Sequence, residues 1–111
     1  MIASMVSVNC DNIHDWPSLH EVFAHVFGFP DFYGRIMDAW IDCMESLDKP
    51  EDGMSRIHCN LGTVLTLVKD VRRIRERCRE QYDAIIECSA FVNWSRIEVG
   101  EATVLALSFY S

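Results

Sequence analysis

Residues 29–44 read FPDFYGRIMDAWIDCM, an aromatic and apolar stretch that carries two aspartates four positions apart. On a helical wheel of about 100° per residue, Asp38, Asp42 and Glu45 fall on one narrow face. The spacing predicts a helix from about Gly34 to Leu47, with one acidic face and one face buried in a core. The residues on the predicted core side are Ile36, Trp40, Cys43, Met44 and Leu47.

Neither Asp38 nor Asp42 has a lysine or arginine four positions away in the sequence. Like charges four residues apart on a helix repel each other by roughly a few tenths of a kcal/mol. Ile41 lies beside the acids on the wheel, and Phe32 and Tyr33 precede the helix in a loop that is expected to present at least one ring. Acidic helix faces are usually only solvated, but uncompensated acids beside exposed apolar side chains also suit a basic partner.

Three short runs rich in β-branched residues lie outside this helix, at residues 3–9, 63–68 and 103–110. The run at 63–68, TVLTLV, is typical of a strand that is covered on both faces. Buried strands separated by helical segments are typical of parallel sheets. The sequence therefore predicts the α/β class, with a mostly parallel sheet in a single domain over residues 1–111.

An amphipathic stripe predicts another helix before the acidic one. Ser18 and Glu21 have the spacing of a capping box, and Pro17 suits a helix start. Gly28 marks the predicted end of the helix. Farther along, the stretch MSRIHC at 54–59 is compatible with either a weak edge strand or an irregular connection.

Residues 70–91 are helical in character, with a turn near 79–81 that separates two helices. The arginines here spread around the helix, and Glu76 and Glu80 interleave with them, which favours a solvated surface over nucleic-acid contact. Pairing with the protein's own acidic surfaces or with a second copy remains open. Six of the ten basic residues fall within 69–79: Lys69, Arg72, Arg73, Arg75, Arg77 and Arg79.

The overall composition argues against several classes of protein. The formal net charge of −7 disfavours non-specific binding to nucleic acid or to anionic membranes. No apolar run approaches the roughly 18 residues of a membrane span. The five cysteines are odd in number, form no CxxC motif and follow no signal peptide, so we expect a reduced, cytoplasmic chain.

Catalysis and metal binding find little support in the sequence. A pair of catalytic acids needs environments that push the two pKa values apart, and two acids on one wet helix face do not offer that. His20 and His25 point to different helix faces, and the adjacent His58 and Cys59 lack further spaced ligands. We therefore expect neither an enzyme nor a metal or cofactor site.

The stretch 29–44 resembles the segment of the barstar family that joins its first two helices and forms the second. The resemblance is specific in this motif, and the order and length of the elements extend it over nearly the whole chain. It implies a three-stranded parallel sheet packed by about four helices. The matching residues are Pro30, Asp31, Phe32, Tyr33, Gly34, Asp38, Ala39, Asp42 and Cys43.

Barstar-family proteins are intracellular inhibitors whose second helix and preceding loop plug the active site of a secreted ribonuclease. The resemblance implies that Asp38 and Asp42 stand in for substrate phosphates. It implies that Phe32 takes the place of a tyrosine that stacks in the catalytic cleft, and that Gly34 allows close backbone approach. The partner-binding residues implied in this way are Phe32, Tyr33, Gly34, Ile36, Asp38, Ala39, Ile41, Asp42 and Glu45.

Three positions depart from the family pattern. Ile36 stands where an asparagine is usual, Ile41 stands where the family has an interface tryptophan, and Phe32 lacks the hydroxyl of the family's tyrosine. The family also uses an acid on a later helix. The resemblance implies a cytoplasmic immunity protein, monomeric when free, that inhibits a cognate ribonuclease toxin; the alternative is a non-inhibitory interaction domain for another basic partner. Candidates for the later acid are Glu76, Glu80, Asp83 and Glu87.

Overall fold

The computed structural model describes residues 5–59, 63–68 and 71–109. In this part of the chain, pairs of helices separate successive strands in a mixed α/β arrangement with four α-helices, which confirms the predicted class. The elements in chain order are β1 (Met5–Asn9), a 3-10 turn (Cys10–Asn12), α1 (Trp16–Phe27), α2 (Met37–Glu45), a second 3-10 turn (Pro50–Asp52), β2 (Thr63–Val68), α3 (Val71–Arg77), α4 (Arg79–Glu98) and β3 (Leu105–Phe109).

The strands are parallel, in the order β1-β2-β3. Val6 of β1 aligns with Leu65 of β2, which aligns in turn with Leu107 of β3. Along β1 burial alternates, with Val6 and Val8 buried and Met5 and Ser7 exposed. This period of two turns the valines towards the core.

Helix α1 is capped differently from the prediction. The N-cap is Asp15, whose carboxylate accepts a hydrogen bond from the Ser18 backbone N–H at 2.8 Å. The Ser18 hydroxyl accepts in return from the Asp15 N–H at 3.0 Å. Ser18 is therefore the third helical residue of the capping box and not its first member.

The predicted end of α1 at Gly28 is confirmed. Gly28 has a left-handed backbone with φ of 68° and donates its N–H to the Ala24 carbonyl. A Cβ at this position would lie 2.7 Å from the Arg56 side chain. Glycine is required here both by the backbone conformation and by the close approach of that arginine.

Helix α2 is shorter than predicted, because the chain from Gly34 to Ile36 is not helical. Ile36 is the N-cap and has extended backbone, with φ of −131°. Its predicted place on the core side is wrong, since its side chain is 58% exposed. The other four residues predicted for the core side are confirmed as buried: Trp40, Cys43, Met44 and Leu47.

The remaining boundaries shift by a few residues. The break between α3 and α4 falls at Cys78, just before the predicted turn, and α4 continues to Glu98. Strand β2 has the predicted bounds, and residues 54–59 form an irregular connection with a single β-bridge residue, His58. None of the described helices is long and apolar enough to cross a lipid bilayer.

A chain of aromatic contacts fixes α2 and the loop before it against α1. Phe23 of α1 meets the buried Trp40 ring edge-on, with centroids 5.6 Å apart. Phe27 stacks on Phe29, and Phe29 lies 4.8 Å from the ring of Tyr33. Rings in these geometries add roughly 0.5–1.5 kcal/mol per pair beyond their burial. The loop and α2 are thus held as one unit on the core.

Candidate partner-binding face

The outward side of α2 carries the acids that were predicted to lie there from the sequence. Asp38 and Asp42 are exposed, and Glu45 is half-buried. Among the described residues, none of these three carboxylates has an ion pair or a hydrogen bond from a side chain. Three negative charges therefore stand on one helix face without a cation to offset them. We call Asp38, Asp42 and Glu45 the acidic face.

The thiol beneath the acidic face is inert. Burial raises the pKa of Cys43 to about 11, and the nearby charge of Asp42 adds to this effect. Cys43 is 1% exposed, so it acts as a small apolar residue of the core. The raised pKa keeps the thiol neutral next to the acids.

The loop before α2 presents one aromatic ring and buries the other. Phe32 is 76% exposed, whereas Tyr33 lies in the core. The Tyr33 hydroxyl is 2.5 Å from Nδ1 of His20, a buried residue of α1. Burial raises the pKa of Tyr33 and lowers that of His20, so the neutral forms of both are favoured. Tyr33 therefore anchors the loop, and Phe32 is the ring available to a partner.

Arg35 is the basic residue nearest to the acidic face in sequence, but its charge is directed elsewhere. Its guanidinium pairs with Glu21 of α1 at 2.9 Å. Arg35 also has a left-handed backbone, with φ of 55°, a conformation that is uncommon for residues other than glycine. The turn at Arg35 thus keeps the loop cation on the α1 side.

Gly34 is exposed and is not demanded by the local fold. A Cβ placed there would meet the Ala39 Cβ at 3.5 Å, an ordinary van der Waals contact. Around it, the side chain of Ile36 is exposed, and those of Ala39 and Ile41 are half-buried. The acidic face is therefore flanked by small and apolar side chains.

Helix α4 packs against α2 and brings a further acid to its side. Burial raises the pKa of Cys88 on α4, and the charges of Glu87 and Asp38 add to the shift. Glu87 and Asp38 thus both lie near the same thiol, one from each helix. Asp83 is instead neutralised by Arg79 at 3.1 Å. Of the four candidates for the later acid, Glu87 is the sequence neighbour of the thiol whose pKa the Asp38 charge helps to raise.

The buried Arg96 of α4 is a supporting residue that the sequence reasoning missed. It is 2% exposed, and its guanidinium bonds both carboxylate oxygens of Asp48, at 3.1 Å and 2.6 Å. It also donates to the backbone carbonyls of Glu45, at 2.8 Å, and Ala102, at 2.6 Å. The available signal was an arginine four residues after Val92 on the buried stripe of α4. This residue locks the end of α2 to α4.

An open hollow of about 470 Å³ lies at the same end of α2. Carboxylates of Asp42, Glu45, Asp52 and Glu101 line it, together with Lys49. The Lys49 ammonium pairs with Glu101 at 2.8 Å and not with the acidic face. Within the described residues, no group of three or more histidine, cysteine or acidic side chains is arranged to hold a metal ion. The hollow suits a cationic side chain from outside.

Comparison with known proteins agrees with this geometry. No curated protein matches the chain. The family model for Barstar, described as the barnase inhibitor, matches residues 3–105, which is nearly all of the 111 residues. Since the match covers β1, β2, all four described α-helices and the candidate face, and ends at the first residue of β3, the chain belongs to the Barstar family, a family of inhibitors and not of catalysts.

Proposed function

We propose that this protein is a cytoplasmic immunity protein that binds a cognate ribonuclease and blocks its active site. The observation that carries the proposal is the pair of exposed aspartates, Asp38 and Asp42, without cationic partners among the described residues. Ribonuclease active sites concentrate lysine, arginine and histidine to hold phosphate and the charge of the transition state. Carboxylates at helical spacing satisfy such groups with charge-assisted hydrogen bonds.

The proposed contact surface has distinct parts. Asp38 and Asp42 occupy the positions of substrate phosphates, and Glu45 contributes at the rim. The Phe32 ring is 76% exposed, so it is free to stack in the catalytic cleft of the ribonuclease. Gly34 leaves room for close approach, because a partner's backbone meets no side chain there. Exposed or half-buried apolar contacts surround the acids, at Ile36, Ala39 and Ile41.

The Tyr33 ring is not part of the contact surface that we propose. It is 9% exposed, and its hydroxyl is engaged with His20. Its role is to hold the loop in a fixed shape before binding. A loop that is already ordered loses less conformational entropy when a complex forms, so a pre-formed anchor strengthens binding without touching the partner.

The experiment is a titration of RNA cleavage. Cleavage of a fluorogenic RNA is measured for barnase, and for any ribonuclease found to be encoded beside this chain's gene, at increasing concentrations of the protein. We expect loss of activity at a one-to-one ratio with at least one enzyme. Binding with undiminished RNA cleavage would instead identify a non-inhibitory interaction domain. If the protein neither binds nor inhibits any of the enzymes tested, the proposal is overturned.

A further inference from the structure

Helix α4 is apolar on two opposite sides. On its inner side, Ile85 and Val92 are fully buried in the core. On a wheel of about 100° per residue, Trp94 lies about 180° from Ile85, at the centre of the outer side. A surface helix normally turns polar residues away from the core, so apolar side chains on both sides are typical of a helix that is covered from two directions.

The outer side of α4 exposes three large hydrophobic side chains. Phe91 is 47% exposed, Trp94 is 56% exposed and Ile97 is 58% exposed. The rings of Phe91 and Trp94 lie against each other, with centroids 5.8 Å apart. Ala90 is exposed as well, and residues three and four apart are neighbours on a helix, so the four side chains form one continuous patch. We call Ala90, Phe91, Trp94 and Ile97 the outer stripe.

Two polar residues of this part of α4 are directed into the molecule. The Asn93 amide donates to the Leu105 carbonyl at 2.6 Å and accepts from the Leu105 N–H at 3.1 Å. Arg96 is 2% exposed. Glu87 and Glu98 are exposed, but they lie at the two ends of the outer stripe. The stripe itself therefore offers uncharged apolar surface, which suits another apolar surface better than an ionic ligand.

The outer stripe is symmetric about Trp94. Phe91 precedes Trp94 by three residues, and Ile97 follows it by three. When two copies of α4 cross antiparallel with Trp94 on a two-fold axis, Phe91 of each copy faces Ile97 of the other. At the common crossing angle of about −50°, the helices diverge on either side of the crossing point, so the glutamates at the ends of the stripe are not forced into contact.

The area of the outer stripe is in the range that a symmetric dimer needs. Large aromatic side chains offer roughly 150–250 Å² each, so the exposed fractions in the stripe amount to about 350 Å² of apolar surface per molecule and about 700 Å² per pair. Homodimer interfaces are about 65% apolar, so this corresponds to about 1,000 Å² in total, the size at which specific interfaces begin. The expected dimer is therefore specific but weak.

We propose that the outer stripe is a self-association surface, on which a second copy of this chain packs its own α4 about a two-fold axis near Trp94. The pairing buries Trp94 against its counterpart and Phe91 against Ile97 of the second copy. It covers the side of α4 that a single chain leaves exposed. The family resemblance implies a chain that is monomeric when free, so the dimer is a property that the outer stripe adds. Self-association of this kind does not depend on ribonuclease binding.

Analytical ultracentrifugation of the protein alone tests the proposal. Between about 1 μM and about 300 μM we expect the sedimenting species to change from one chain to two, with a dissociation constant of about 10–100 μM. Trp94→Gln should raise this constant at least about tenfold, because it removes the ring at the centre of the contact. Met5→Gln changes a side chain that is 63% exposed on the edge strand β1 and should leave the constant unchanged. Thermal unfolding of each variant checks that the fold is retained.

The two-fold arrangement allows a second test of the register. Phe91→Glu and Ile97→Lys should each weaken the dimer at least about tenfold. In the double variant Phe91→Glu/Ile97→Lys, the introduced carboxylate of each copy faces the introduced ammonium of the other, so this variant should associate at least about fivefold more tightly than either single variant. Added salt should strengthen the wild-type dimer, since each copy has a net charge of −7 and salt screens the repulsion between them.

Each contrary outcome would overturn a stated part of the proposal. A wild-type chain that stays a single species over the whole concentration range does not self-associate. An undiminished dimer in Trp94→Gln, or equal losses in Trp94→Gln and Met5→Gln, would show that the outer stripe is not the surface used. A double variant that associates no more tightly than the single variants would rule out the pairing of Phe91 with Ile97. Inhibition of a ribonuclease is measured separately and stands or falls independently of these results.

Discussion

At the level of single residues, the ion pairs divide the carboxylates into two kinds. Asp48 pairs with the buried Arg96 at 2.6 Å, and Glu21 pairs with Arg35 at 2.9 Å. These pairs join elements of the fold, so their charges are already satisfied. Asp38 and Asp42 have no such pair within the described residues, and their like charges repel each other on α2. Their charge is therefore available to a partner, and replacing them should affect binding more than folding.

Asp42→Ala should weaken ribonuclease binding far more than Glu45→Ala. Asp42 is exposed at the centre of the acidic face, whereas Glu45 is half-buried at its end. We expect Asp42→Ala to cost about 2 kcal/mol or more, or about 30-fold in Kd, and Glu45→Ala about threefold or less. Isothermal titration or surface plasmon resonance measures both. Equal losses for the two variants would contradict the assignment of Asp42 as a hot spot.

His20 should make the stability of the anchored loop depend on pH. Burial, together with the charge of Arg35, lowers the pKa of His20 below the ordinary 6.5. Between the lowered pKa of His20 in the folded chain and the value of 6.5 in the unfolded chain, the unfolded chain binds a proton that the folded chain does not. The contribution of His20 to stability is therefore complete above about pH 6.5 and falls as the pH drops towards the pKa of the folded state. The free energy of unfolding, measured by urea denaturation from about pH 7.5 to about pH 5.5, should decrease.

The control for His20 lies on the same helix. His20→Gln removes the titrating group and should flatten this part of the pH profile. His25→Gln changes an exposed histidine and should leave the profile as it is in the wild type. A wild-type stability that is constant across this interval, or identical profiles for wild type and His20→Gln, would contradict the assignment.

The sequence predicted the faces of α2 well and the preceding loop poorly. Trp40 and Cys43 were separated correctly from the acids because both sets follow the helical period. Ile36 was misplaced because a wheel assumes helical backbone, and the chain at Ile36 is extended. The burial of Tyr33 depends on His20, thirteen residues earlier, and no local pattern encodes that contact. Periodic positions are predictable from local sequence, whereas loop side chains are decided by tertiary neighbours.

At the level of elements, Arg96 joins α4 to the end of α2 and to the chain before β3. Arg96→Met should destabilise the protein by about 3–5 kcal/mol, because it leaves Asp48 partly buried without its cation and removes bonds to two carbonyls. The midpoint of urea denaturation measures the loss. Arg79→Met, which breaks an exposed pair with Asp83, should cost about 0.5 kcal/mol or less. Similar losses in the two variants would show that Arg96 is not a structural link.

The elements themselves were more predictable than their ends. The run TVLTLV predicted the bounds of β2 because a glycine, Gly62, precedes it and the charged Lys69 follows it. The start of α1 was missed by a few residues, since both Asp15 and Ser18 are good N-cap residues and only the folded geometry chooses between them. The length of α4 was underestimated because its buried stripe ends on Arg96, a charged residue that a search for apolar spacing ignores.

On the scale of the whole molecule, the charges are segregated. The net charge is −7, yet α3 has the sequence VRRIRER. One of its arginines, Arg77, bonds the Ile13 and Cys10 carbonyls and so joins α3 to the segment after β1. Among the described residues, the acids of α2 at Asp38, Asp42 and Glu45 have no ion pair. The electrostatic field of the molecule therefore attracts a basic partner to one side, and this long-range attraction should orient the encounter.

This field predicts that association with the ribonuclease is sensitive to salt. Between about 25 mM and about 300 mM salt, the association rate should fall about tenfold, while the dissociation rate changes little. Asp42→Asn and Asp11→Asn each remove one charge from exposed positions, but only Asp42 belongs to the acidic face. Stopped-flow measurements should show a shallower salt dependence for Asp42→Asn and a wild-type slope for Asp11→Asn. Equal slopes for both variants would mean that net charge alone, and not the acidic face, guides the encounter.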